Sequence, residues 1–287
     1  MLWTEILSGQ FDKAVEESKG VCGLVVGCVE HHGKHLPLGQ DVIHAGGIAE
    51  LAAEKEPIVL FPHMYFGEKQ GAGEFAGTII FPTQLILDIL THSCREIARN
   101  RFKKIVLING HGGNDAILKA FSRSTLYEKN DYSVVVYNAS SAWPKIADML
   151  SKIDAGEREL YPELTDEDIA VLRYHETHRT ASGHGCIRET GITLGLRPDL
   201  VDLSKVNDVP GYSTGAFDHL TKAGFYSPET WAASFPYSLS SDFHDGNNER
   251  IGKCFVRLAT ENMANAFKVL KDDTALMDYH TKWLAKQ

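Results

Sequence analysis

Between residues 21 and 139, four short apolar runs alternate with longer amphipathic stretches, and this alternation restricts the fold more than any other feature. "VCGLVVGCV" (21–29), "PIVLFPHMYF" (57–66), "KKIVLING" (103–110) and "DYSVVVYNA" (131–139) are rich in β-branched residues, as strands buried on both faces are. Helical spacing lies between them, over 41–55 opened by Asp41, over 82–101 with Pro82 near its start, and over 113–129. A further helical stretch, 3–18, precedes them. The pattern predicts an α/β fold with a mainly parallel sheet flanked by helices. Residues 140–183 break the rhythm and read as a polar, partly helical insertion within a single domain spanning 1–287, lying over the sheet edge or against a neighbouring subunit. Then 184–203 reads as a helix ended by Pro198, 204–250 as mostly loop, and 250–284 as a closing helix.

Composition removes several classes of function. A formal charge of −9 argues against a nucleic-acid surface, which needs a basic face. The five cysteines are an odd number with no CxxC spacing, so reduced thiols are expected rather than a disulfide framework or a structural zinc site. The N-terminus carries acids among its apolar residues, unlike a signal peptide, and no apolar run nears the roughly 20 residues that cross a bilayer. A soluble, cytoplasmic protein is expected, with neither membrane nor nucleic acid as partner.

In open parallel sheets, ligands sit beyond the carboxyl ends of the strands. "VEHHGKHLPLGQD" (29–41) follows the first strand, and "NGHGGN" (109–114) follows the third. Both therefore fall on one edge of the sheet. Glu30, His32, Asp41 and His111 offer two carboxylates and two imidazoles, a donor set suited to zinc, manganese or iron rather than calcium. Asp41 has two oxygens and can bridge a pair of ions, so one or two ions per subunit are expected. Glycines in "NGHGGN" let backbone approach an ion.

His184, Arg188 and Glu189 form a third cluster. His184 is placed at a helix start, where the dipole disfavours its charged form and suits it to carry a proton. Glu189 lies about one and a half turns further on, either as a catalytic carboxylate or as an exposed salt-bridging one. His175 and His178 of "HETH" lack the i,i+4 spacing of a zincin but can line a pocket from the insertion. "GAGEFAG" (71–77) has the wrong spacing for a dinucleotide loop. "GYSTG" (211–215) matches a nucleophile elbow in letters only, because no strand precedes Ser213 and no helix follows.

These motifs carry a family resemblance. "VGCVEHHGKHLPLGQD" resembles the first signature of the creatininase family, "NGHGGN" the second and "GHGCIRETG" the third, in the same order and over about residues 1–205. The resemblance implies a three-layer α/β hydrolase with a two-metal centre, often a homohexamer, that opens cyclic amides or cleaves formamides. It implies that Glu30, Asp41 and His111 hold one ion, that His32 and Asp41 hold the second, and that His184 is the catalytic histidine. His31 is then a spacer, and His35 shapes the loop.

The departures point to a member other than creatininase itself. Gly112 and Gly113 stand where creatininase has an aromatic residue and a glutamate ligand, and Glu189 is the candidate replacement for that ligand. Thr180, Ala181, Ser182 and Gly183 replace a Trp and acidic residues ahead of the catalytic His, and Glu74 replaces a His in "EFAGT". Arg188, Glu74 and His178 are the candidate substrate contacts, and the cations among them favour an anionic or polyhydroxylated small molecule. The expected activity is hydrolysis of a cyclic amide or formamide-type C–N bond by metal-bound hydroxide. Hydrolytic opening of a sugar- or inositol-derived cyclic ketone would use the same donors. A metal- or metabolite-binding homologue without turnover is the reading from another class.

Overall fold

The computed structural model describes residues 1–69, 71–178, 182–240 and 246–286. Four parallel strands, β1 (Val21–Val26), β2 (Val59–Met64), β3 (Lys104–Asn109) and β4 (Ser133–Asn138), form one sheet in the order β2-β1-β3-β4. β1 and β3 run in continuous register from Val21↔Lys104 to Val26↔Asn109. Every residue of both is buried. Alternate side chains feed two cores. Val21, Val25, Val106 and Ile108 point to one face, and Cys22, Leu24, Ile105 and Leu107 to the other.

Helices cover both faces. The first core takes α2 (Gln40–Lys55), α5 (Ile146–Asp154), α6 (Asp166–Thr177), α7 (Ile187–Leu196) and α10 (Glu249–Asp272). The second takes α1 (Phe11–Glu17), α3 (Thr83–Arg99) and α4 (Asn114–Ser124). The chain leaves β1 for one edge of the sheet and β3 for the other. The crevice beyond the carboxyl ends of β1 and β3 is therefore a topological switch point, where ligands collect in such sheets.

Several elements differ from the sequence pattern, each for a physical reason. Helix forms only over Phe11–Glu17 of the stretch 3–18, the rest being short 3₁₀ turns. Strand β1 stops at Val26 because Gly27 must lie against α2, where a Cβ would come within 2.6 Å of Val42 Cγ2. Residues 140–183 contribute core: Ile146, Met149, Leu150, Ile169 and Leu172 are buried on the face of α2 and α10. The α6 end of that stretch starts at a capping box between Thr165 and Asp168. The closing helix is two helices, α10 and α11 (Ala275–Leu284), parted at an extended Asp273. There the Lys104 ammonium bonds the carbonyls of Leu270 and Asp273, and Asp273 Oδ2 accepts the N–H of Leu276. A cation on the last carbonyls ends α10 as a C-terminal cap does. Two short helices, α8 (Asp218–Lys222) and α9 (Thr230–Ser234), interrupt the long loop before it. Residues 241–245 of that loop lie outside the described residues. Among the described residues, no helix is long and apolar enough to cross a membrane.

Candidate metal centre

The loop after β1 supplies Cys28, Glu30 and His32, the first turn of α2 supplies Asp41, and the loop after β3 supplies His111. Their convergence depends on backbone contact. A Cβ on Gly110 would lie 2.3 Å from the Asp41 carbonyl oxygen, so only glycine lets the end of β3 meet α2. Glu30, His32, Asp41 and His111 are all buried.

Two imidazoles face two carboxylates. His111 Nε2 lies 3.0 Å from the carbonyl oxygen of Glu68, a contact that only an N–H satisfies. Assigned from that partner, a neutral ring turns the bare lone pair of Nδ1 towards Glu30 Oε1 at 2.8 Å and Asp41 Oδ2 at 3.0 Å. His32 repeats the pattern. Its Nδ1 lies 3.2 Å from the Glu30 carbonyl oxygen, and its Nε2 lies 3.2 Å from Asp41 Oδ1. Lone pair against carboxylate is repulsive, so each contact needs positive charge between the partners, as a second ring proton or as a cation. A carbonyl bound to the distal ring nitrogen is also how proteins orient a ligating histidine.

Without a cation, the protons take that role. Burial opposes charge on His111, but the Glu30 and Asp41 carboxylates outweigh it and raise its pKa to about 10. Burial is likewise overcome at His32 by Asp41 and Glu30, with a pKa of about 9. The Glu30 and Asp41 carboxyls are held below their ordinary range, because the facing imidazoles more than offset burial. Carboxylates and imidazoles in this proportion fit zinc, manganese or iron. Cys28 Sγ lies 3.0 Å from Asp41 Oδ2 and 3.5 Å from Glu30 Oε1, with its thiol pushed up by burial and both carboxylates.

Glu189, in the first turn of α7, joins the same cluster. Its Oε2 lies 4.0 Å from His32 Nε2 and accepts the N–H of Gly185 at 2.6 Å, and burial pushes its carboxyl up to about 7. One donor atom from each of His32, Asp41 and Glu189 lies within 4.8 Å of the others. Gly113 has no room for a side chain. A Cβ there would lie 2.4 Å from His111 Nε2 and 2.8 Å from the Glu68 carbonyl oxygen. The backbone of Glu68 fills the space through which a ligand from position 113 would reach.

His184 lies ahead of α7 rather than at its start, so the helix dipole is not what keeps it neutral. Gly183 and Gly185 hold φ of 138° and 74°, in the region that favours glycine, and turn the chain so that helix begins only at Ile187. Burial and the neighbouring His32 lower its pKa to about 3. The ring stacks on His32 at 3.9 Å, and its Nε2 lies 2.8 Å from the His31 carbonyl oxygen and 3.7 Å from Glu30 Oε2.

The cluster opens into a cavity of about 560 Å³ lined by Asp41, Lys69, His111, His184, Glu189 and Trp231, among others. Lys69 Nζ lies 2.6 Å from Glu30 Oε2 and 4.1 Å from the centre of the Trp231 ring, a cation–π contact. Trp231 also meets His184 edge to face at 5.1 Å. Lys69, Trp231 and Cys28 were not among the site residues expected from sequence. The position of Lys69 just after β2 was an available signal. Nothing local marks Trp231, which comes from α9 in the long loop.

The three candidate substrate contacts lie elsewhere. Glu74 is exposed on the 71–78 loop and does not line the cavity. His178 is exposed at the end of α6, stacked on Tyr174 at 4.0 Å. The Arg188 guanidinium lies 5.5 Å over the Trp143 ring, beyond the cavity lining. His35 bonds Thr190 Oγ1 at 2.9 Å, and His31 stacks on Phe75. Buried His175 sits in α6, and Ser213 lies in irregular loop, its Oγ bonded to the Gly215 N–H. Thr180 and Ala181 lie outside the described residues.

Comparison with known proteins gives the same family as the motifs. The family described as "Creatininase: Creatinine amidohydrolase" matches residues 4–269. Creatinine amidohydrolase of Pseudomonas putida is 28% identical over 225 residues, covering 75% of this chain and 78% of that one. A mycofactocin precursor peptide peptidase of Mycolicibacterium smegmatis is 34% identical over 115 residues, covering 37% of this chain and 45% of the relative. A creatininase crystal structure superposes with a TM-score of 0.70 at 22% identity, covering 95% of this chain and 98% of that chain. Solved creatininases include a manganese form and a Zn–Zn type. The four-stranded parallel sheet, the order of the motifs and the match across nearly the whole chain place this protein in the creatininase family.

Proposed function

We propose that this chain is a metal-dependent hydrolase that opens a cyclic amide or cleaves a formamide-type C–N bond in a small molecule. One observation carries the reading. Two imidazole nitrogens, each ring oriented by a carbonyl behind it, face two buried carboxylates at the floor of a cavity. Glu30, Asp41 and His111 are assigned to one ion, and His32, Asp41 and Glu189 to a second, with zinc, manganese or iron as candidates.

A divalent ion held by these residues would acidify a water and polarise a carbonyl oxygen. The remaining work belongs to the chain's own groups. Lys69 engages Glu30 Oε2 and leaves Oε1 directed at His111. His184, neutral and beside the cluster, is the proton carrier, moving a proton through Nε2 once that atom exchanges the His31 carbonyl for substrate. Trp231 walls the cavity next to it.

The test combines elemental analysis of the purified protein with a screen of lactams and formamides after loading with zinc, manganese or iron. His184→Ala should retain metal and lose turnover. Less than about half an equivalent of transition metal, unchanged by Asp41→Asn, refutes the reading. Metal and ligand binding without turnover on any substrate makes the chain a binding homologue. By family likeness we also propose a homohexamer, checked by light scattering.

A further inference from the structure

The cavity over Trp231 is not the sole space beside the cluster. A second cavity, of about 390 Å³, is lined by Asn109, Asn138, Ser140 and Trp143, and three residues line both: His111, Gly112 and Glu189. Two of the three belong to the cluster, and the third has no side chain. Gly112 is exposed, and a Cβ built on it meets nothing within 4 Å, so the border that the two spaces share there is open.

Each space joins an aromatic wall to polar groups: Trp231 with Lys69 and Ser240 in the larger, Trp143 with Asn109, Asn138 and Ser140 in the smaller. Away from the cluster, the larger is walled by Tyr226, Pro228 and Trp231, which offer flat apolar surface. The smaller presents the amides of Asn109 and Asn138 and the hydroxyl of Ser140. Asn109 Nδ2 bonds Asn138 Oδ1 at 3.1 Å, and Asn138 Nδ2 bonds Asp115 Oδ1 at 3.0 Å, which fixes that polar wall in place. A compact ring would fill only one of these spaces.

We infer that the substrate straddles the cluster, with one arm against Trp231, a second arm in the space lined by Trp143, Asn109 and Asn138, and the scissile C–N bond between them. The inference rests on the hydrolase reading above and extends the scissile bond from cyclic amides and formamides to amides substituted on both sides. Water adds its hydroxyl to the carbonyl carbon, the C–N bond breaks, and the nitrogen takes the proton, giving one carboxylic acid and one amine. Gly112 borders both arms without a side chain of its own.

Hydroxamates test this without a known substrate, because they chelate the divalent ion directly. Affinities for the zinc-loaded protein would be measured calorimetrically for acetohydroxamate, which has no arms, and for N-(2-hydroxyethyl)benzohydroxamate, which has both. The two-armed compound should bind at least about tenfold tighter. Gly112→Phe adds a ring in open space at a backbone outside the left-handed region, so it should fold and keep its metal. It should erase the tenfold gain while leaving acetohydroxamate affinity unchanged. No gain in the wild type, or a gain that survives Gly112→Phe, overturns the inference while the metal reading stands. Protein that takes up no metal and binds neither compound overturns both readings.

Discussion

Restoring the creatininase glutamate at position 113 should weaken metal binding here, although it adds a carboxylate ligand. The backbone of Gly113 has φ −61° and ψ −26°, which any residue adopts, so the effect is purely steric. A Cβ at 2.4 Å from His111 Nε2 and 2.8 Å from the Glu68 carbonyl must displace one or both by about an ångström, since such contacts essentially never occur. The 3.0 Å bond from His111 Nε2 to Glu68 is then lost. That bond fixes which ring nitrogen carries the lone pair, and losing such a partner costs roughly 10–100-fold in metal affinity. Gly113→Ala should show nearly the whole loss, since it brings the clash without the carboxylate. Gly113→Glu should recover little, because its side chain starts from a displaced loop. Competition against a chromogenic chelator, with zinc and with manganese, gives the affinities. If Gly113→Glu binds either ion as tightly as the wild type or tighter, the argument that Glu68 has taken that space is wrong.

Other outcomes follow from the same geometry. In chelator-treated protein, His111 and His32, raised to about 10 and 9, stabilise the fold fully below their unfolded pKa of about 6.5, and this contribution fades as pH rises towards 10. Asp41, held low, contributes above its unfolded value and is lost as pH falls below it. Thermal unfolding without metal should therefore peak at mildly acidic pH, and metal loading, which must displace the ring protons, should move the maximum upward and release protons detectable in calorimetry across two buffers. Asp41→Asn should abolish metal retention on a desalting column, because Asp41 lies within reach of both His32 and His111. Gly110→Ala should cost about 1–3 kcal/mol in denaturant unfolding, since its Cβ would overlap the Asp41 carbonyl and force the end of β3 off α2. A wild-type stability for that variant would show that the β3–α2 approach is looser than drawn.

Local sequence carries a strand or a loop because its information is periodic and short in range. The alternation of "VCGLVV" and "KIVLIN" with amphipathic stretches was enough for a parallel sheet. The rule that ligands gather beyond strand ends then brought Glu30, His32 and Asp41 to the same edge as His111. Contacts between distant segments have no such signature. Trp231 and Lys69 meet over Glu30 across 162 residues of chain, and nothing in the spacing of either marks the encounter. Glu74 and His178 looked suitable by charge and type, yet their loops carry them to solvent, because a side chain's neighbours depend on where its backbone is anchored. His184 kept its neutral state for another reason than the one its sequence suggested, burial against His32 instead of a helix dipole. Residue type and strand order were legible in the chain itself. How close Glu189 comes to His32, and which space a glycine leaves open or closed, depended on packing at contacts of a few ångströms that only the folded structure defines.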